Sequence, residues 1–144
     1  KEIMEQLASL FFHSRTQAHV FHLGVKGPGA YAAHKALETY YDEIVGLIDG
    51  LVESYQGKYG LIKFAAVSGI DNDCSIKNIV SYFEKLCKAL DKLRKDEKLQ
   101  ASYIQNQIDE IEELLNMTKN KNFNNLLICF SPPQTKFKIL ILLT

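Results

Sequence analysis

From Ala30 to about Gln56 the chain has no proline, and Tyr31, Leu37, Tyr41, Ile44, Ile48, Leu51, Val52 and Tyr55 recur at helical spacing. That stretch predicts one rod of ~40 Å, with Gly57 as its natural stop. Gly46 and Gly50 lie inside it at a cost of roughly 1 kcal/mol each relative to alanine. Four residues apart, they either form a smooth face that another helix could approach closely or are merely tolerated.

The flanking segments must fit that rod. Residues 2–23 read as a first helix with Ile3, Leu7, Leu10, Phe11, Ala18 and Phe21 on its apolar stripe, stopped by GVKGPG. Residues 58–73 read as a connection, in which LIKFAAV could form one short helical turn. Sixteen extended residues reach up to roughly 55 Å, longer than the rod. The third helix, about Ser75 to Leu93 with Asp73 as candidate cap, can therefore start parallel to the second. A fourth is expected near residues 98–117. The expected fold is all-α, a ferritin-like four-helix bundle with a long crossover between helices two and three. Residues 1–117 form the bundle, and 118–144 an atypical C-terminal tail rich in asparagine and lysine, broken by Pro132 and Pro133.

Composition narrows the function classes. The chain has 144 residues, one domain by size, with 17 basic and 17 acidic side chains. No net field favours nucleic acid or an anionic membrane. The terminal ILILL is too short to span a bilayer. Cys74, Cys87 and Cys129 form no CxxC and cannot all pair, which suits free thiols in a reducing cytoplasm. The opening KEIMEQLASLFF lacks the features of a secretory signal, and a start at Lys1 leaves room for a preceding segment.

On this scaffold lie five potential metal ligands: His22, His34, Glu38, Asp49 and Glu53, spaced 12, 4, 11 and 4 apart. Residues four apart share a helix face, so His34 with Glu38 is one half-site and Asp49 with Glu53 a second. Imidazole with carboxylate suits iron and neighbouring divalent metals. Glu38 and Asp49 differ by only ~20° around the helix, yet fifteen rises of roughly 22 Å separate His34 from Asp49. No single ion reaches both pairs. A site using all five must borrow one pair from a second copy, and a two-fold axis would create two such sites.

The pattern His22-x11-His34-x3-Glu38-x10-Asp49-x3-Glu53 resembles the ferroxidase signature of the Dps family of mini-ferritins. The stretch HLGVKGPGAYAAHKALETYYDEIVGLIDGLVE resembles that family's second-helix region. The likeness covers about residues 7–57. It implies a bundle that assembles into a hollow shell, usually of twelve subunits, with iron oxidised at two-fold interfaces, often by peroxide, and stored as a ferric mineral. By position, His22, His34 and Glu38 would come from one subunit and Asp49 and Glu53 from its partner. Glu38 stands where the family usually has aspartate, and Leu23 replaces the common tryptophan, leaving Tyr31, Tyr40, Tyr41 and Tyr55 as nearby aromatic groups. The lysine-rich arm that many members use on DNA is not in this sequence.

The expectation is thus an iron-binding ferroxidase and storage protein, a homo-oligomer of at least two subunits and of twelve by resemblance, cytoplasmic, with no membrane partner and DNA unsupported by charge. One alternative is an intrachain di-metal carboxylate enzyme, although the Glu-x-x-His motif of such bundles is lacking. Another is a structural or DNA-associated shell without oxidase activity. His13 and His19 read as surface, interface or satisfied histidines. Asp109, Glu110, Glu112 and Glu113 read as a solvated acidic face.

Overall fold

The computed structural model describes residues 3–130, with side chains through Asn120. Four helices run in order: α1 (Ile3–Gly24), α2 (Ala30–Tyr59), α3 (Ile76–Arg94) and α4 (Ser102–Phe130), with a short 3-10 turn at Glu97–Leu99. Each helix packs mainly on two others, so that α1 and α4 are opposite corners and α2 and α3 are the other two. The described residues form a four-helix bundle without strands. None of these helices is long and apolar enough to cross a membrane.

Burial follows the apolar stripes. Phe11, Phe21, Leu37, Tyr40, Ile44, Ile48, Leu51, Tyr55, Ile79, Phe83, Leu86, Ile104, Ile108 and Ile111 form one continuous core. Each large side chain withdrawn from water there stabilises the fold by about 1.5–3 kcal/mol. Tyr40 is wholly buried, and its hydroxyl meets Ser14 Oγ at 2.7 Å, while Ser14 Oγ donates to Phe11 O at 2.6 Å. A hydroxyl in a dry core needs such a partner.

The connection from Gly60 to Ser75 forms no helical turn and lies along α1. Lys63 N donates to Glu5 Oε1 at 3.1 Å, and Ala65 N to Ser9 Oγ at 2.8 Å. His13 Nε2 donates to Gly69 O at 2.8 Å, and Gln17 exchanges two 2.8 Å bonds with the Asp71 main chain. Cys74 Sγ donates weakly to Val20 O at 3.7 Å. Residues 5, 9, 13 and 17 thus form a polar ladder at helical spacing on α1, climbed in order by the connection. The link begins beside the start of α1 and delivers α3 beside its end.

Several boundaries differ from expectation. Helix α2 continues through Gly57 and stops at Gly60, whose φ of 88° only glycine adopts readily. The cap of α3 is Ser75, accepting from Asn78 N at 3.3 Å, whereas Asp73 accepts from Ser75 N at 3.0 Å and shapes the turn before it. The fourth helix begins at Ser102 and extends to Phe130 instead of ending near 117, and Thr118 is buried with its hydroxyl donating to Leu114 O at 2.8 Å. Residues 131–144 lie outside the described residues.

The glycine pair on α2 also resolves. Gln107 Nε2 donates to Gly50 O at 3.2 Å, so α4 approaches closely there, while a side chain at Gly46 would meet open space. Tyr59 Oη donates to Lys98 O at 2.7 Å, setting α4 antiparallel to α2. The acidic face of α4 is partly engaged. Arg94, at the end of α3, binds Asp109 at 2.7 Å and Glu112 at 2.6 Å, while Glu110 and Glu113 are exposed.

Candidate functional site

The loop 25–29 folds α1 back onto α2, and that return brings His22 beside His34. Their rings stack with centroids 3.5 Å apart and planes at 25°. His22 Nδ1 bonds His34 O at 3.0 Å, and His34 Nδ1 bonds His22 O at 3.0 Å. A carbonyl oxygen only accepts, so each Nδ1 carries the proton. In the neutral ring the lone pair then resides on Nε2, the atom with which such a histidine ligates metals. Both side chains are half-buried. The pair is locked and directional before any ligand arrives.

Around it sits an aromatic cluster. Tyr41 presents its edge to His22 at 5.3 Å and stacks on His19 at 4.3 Å. His19, expected to be satisfied or partly exposed, is half-buried and held by that stack. Tyr31 and Leu23 are 78% and 74% exposed at the same end of the bundle, whereas Tyr40 and Tyr55 are buried in the core. Tyr41 is the tyrosine that touches the histidine pair.

Glu38 lies one turn beyond His34 but bonds Lys35 Nζ at 2.7 Å. Lys35, with His22 and His34 behind it, holds the Glu38 carboxyl below its ordinary range, so the group stays ionised. The Lys35 pair is exposed, and a pair of this kind contributes little, so its replacement by a metal ion costs little. The lysine was no part of the sequence expectation, although its place three residues before Glu38 is visible there.

Asp49 and Glu53 are exposed on α2, one turn apart. Because α2 is unbroken from Ala30 to Tyr59, the ~22 Å from His34 to Asp49 is a fixed length. The structure brings together His22 and His34, holds Glu38 beside Lys35, and keeps Asp49 and Glu53 apart from them. Among the described residues of one chain, no three His, Cys, Asp or Glu side chains converge closely enough to hold a metal ion.

The model of a family of unknown function, DUF5856, matches residues 28–121. The chain belongs to this family. The DUF5856 match begins just before α2 and runs through most of α4, so His34, Glu38, Asp49 and Glu53 lie inside it and His22 precedes it. No curated protein and no solved structure matches the chain.

Proposed function

We propose that this DUF5856 chain is a ferritin-like iron oxidase and iron-storage protein of the cytoplasm, working as a homo-oligomer that resembles the dodecameric mini-ferritin shells. The observation that carries the reading is the His22–His34 pair, with both Nδ1 protons bound, on the same rod as a second, exposed acidic pair that its own chain cannot bring to it. Two copies related by a two-fold axis would bring Asp49 and Glu53 of each to His22, His34 and Glu38 of the other. The connection along α1, which delivers α3 beside the end of that helix, supports the ferritin-like arrangement of the bundle.

Iron is the substrate. Three carboxylates stabilise Fe(III) over Fe(II) through charge, and two neutral imidazoles hold Fe(II) near neutral pH. With peroxide, two Fe(II) each give up one electron, the O–O bond breaks, and two protons complete two water molecules. The buried polar side chains of the described core are Ser9, Ser14, Gln17 and Thr118, none of them a carboxylate or imidazole. That composition favours the shared surface site over an intrachain di-metal centre.

The test is Fe(II) added anaerobically, then peroxide, with ferric absorbance followed. Asp49→Ala with Glu53→Ala should slow oxidation to the buffer background, as should His22→Ala with His34→Ala. Mixing the two double variants should restore part of the rate, because some mixed interfaces regain one intact site. Equal rates in wild type and variants, or only monomer at micromolar concentration by mass measurement, would overturn the proposal.

A further inference from the structure

Two unrelated features of the surface fall at one level of the bundle. The first is the ligand stripe on α2. If Asp49 and Glu53 of a second copy complete the site at His34 and Glu38, the two copies of α2 run antiparallel about an axis perpendicular to them. Pairing Glu38 with Asp49 and His34 with Glu53 gives one and the same midpoint, between Glu43 and Ile44. Val45 lies beside that midpoint. Seven residues after Glu38 and four before Asp49, it shares their face, and it is 38% exposed. Gly46 next to it has no side chain to hold a second helix away.

The second feature is an apolar surface shared by α1 and the connection. Ala65 N donates to Ser9 Oγ, and Gly69 O accepts from His13, so this part of the connection covers only one turn of α1. It is looped rather than extended, turning at Gly69 with φ 86°. Phe64 and Val67, 54% and 39% exposed, line a shallow depression of about 470 Å³ with Phe12. Phe64 meets Phe12 edge-on at 5.8 Å. Phe12 is one heptad before His19, which stacks on Tyr41 of α2, so Phe12 lies on the α2 side of α1.

The levels coincide. Helices α1 and α2 run antiparallel from the loop between them, with His22 against His34. Phe12 is ten residues back from His22, ~15 Å, and the midpoint on α2 is nine and a half residues on from His34, ~14 Å. The Ser14–Tyr40 bond gives the same register to within one turn. A patch at the level of a two-fold axis meets its own copy, as an isologous contact requires.

We infer that Phe12, Val45, Phe64 and Val67 form the dry centre of the two-fold interface and hold two copies together before any metal arrives. The position of the axis rests on the shared-site reading proposed above. The rest of the face is mostly acidic, with Glu38, Asp42, Asp49 and Glu53 against Lys35 and, three residues after Phe12, Arg15. Attraction between metal-free copies must therefore come from apolar burial. The size is sufficient. From His34 to Glu53 the face is ~29 Å long, and two packed helices are ~20 Å wide, on the order of the ~800 Å² per partner of a stable interface.

Sedimentation of the full chain, freed of metal with a chelator, tests this. Wild type should be dimeric or larger at micromolar concentration. Phe64→Asp with Val67→Asp should raise the dissociation constant at least about 30-fold, and so should Val45→Asp on the other helix, the effect of disturbing the centre of an interface. Unchanged helical circular dichroism shows the bundle intact. Leu61→Asp is the control: Leu61 is 90% exposed but lies near Glu5, ~10 Å from the level of the axis, and its loss should change association little. Patch variants that associate like wild type would overturn the inference, as would equal dissociation by Leu61→Asp. A metal-free monomer that dimerises only with Co(II) would also overturn it, while leaving the iron reading standing. Association lost in the patch variants, with iron oxidation unaffected in the ligand variants, would keep this interface and remove the iron reading.

Discussion

His22 and His34 each donate from Nδ1 to the other's main-chain carbonyl at 3.0 Å, with their rings stacked between. The bonds tie the last turn of α1 to the first turns of α2 and fix one tautomer on both rings. Nitrogen-15 shifts of the neutral rings should therefore report protonated Nδ1 and unprotonated Nε2 for both, the reverse of His13, whose Nε2 donates to Gly69 O. His34→Gln removes one of the two imidazole ligands while leaving the His34 carbonyl that orients His22, and should lower the affinity for Co(II), used as a redox-inert stand-in, by at least about 10-fold. Unchanged Co(II) affinity would separate the pair from metal binding.

Much of the bundle was legible because apolar period and length are local properties. The α2 rod, its burying residues and the reach of the 60–75 connection all follow from spacing. What spacing could not separate is a polar residue facing water from one facing an extended segment. Ser14 and Gln17 are polar residues of the first helix outside the apolar stripe, yet both are buried, because Ser14 serves Tyr40 and Gln17 serves the connection. The available signal was the repeat Glu5, Ser9, His13, Gln17 at steps of four. Helix ends were the other gap. Gly57 and Gly60 look alike in sequence, and only the second takes positive φ. At the site, the two steps of four placed the ligand pairs, whereas the Lys35 partner of Glu38 required side-chain geometry.

The ladder gives a stability prediction. Gln17 is 1% exposed and satisfies both the amide and the carbonyl of Asp71. Gln17→Ala should destabilise the chain by about 1–3 kcal/mol, since it strands main-chain groups at a part-buried position. Exchange should rise first in residues 69–73 and not in the core of α2. A loss spread evenly over the bundle would mean that the connection contributes no separate anchoring.

Gly24 and Cys74 are coupled by contact. A methyl group at Gly24 would overlap Cys74 Sγ and crowd its Cβ. Gly24→Ala should therefore cost about 1–3 kcal/mol, the range for overpacking. Cys74→Gly removes both obstructing atoms, so in that background the Gly24→Ala cost should shrink by at least 1 kcal/mol in a double-mutant cycle. Additive effects in denaturant unfolding would show that the crowding is relieved elsewhere.

Burial pushes the Tyr40 hydroxyl well above its ordinary value of 10.0, with the Ser14 bond opposing in part, and it pushes Tyr82 up as well. The folded chain thus holds these protons more tightly than the unfolded chain. Their contribution is present in full below pH ~10 and is lost as pH rises toward the folded values. By pH 11 each such group should cost about 1.4 kcal/mol of stability. Tyr40→Phe should flatten the decline between pH 9.5 and 11 by about that amount. At pH 7 the same variant should lose only about 1 kcal/mol, because Ser14 keeps its bond to Phe11 O. Ser14→Ala should cost more at pH 7, about 1–3 kcal/mol, since it leaves the Tyr40 hydroxyl buried without a partner. Urea unfolding of the three proteins across that pH range reads both effects, and a Tyr40→Phe curve parallel to wild type would show that its hydroxyl ionises without unfolding.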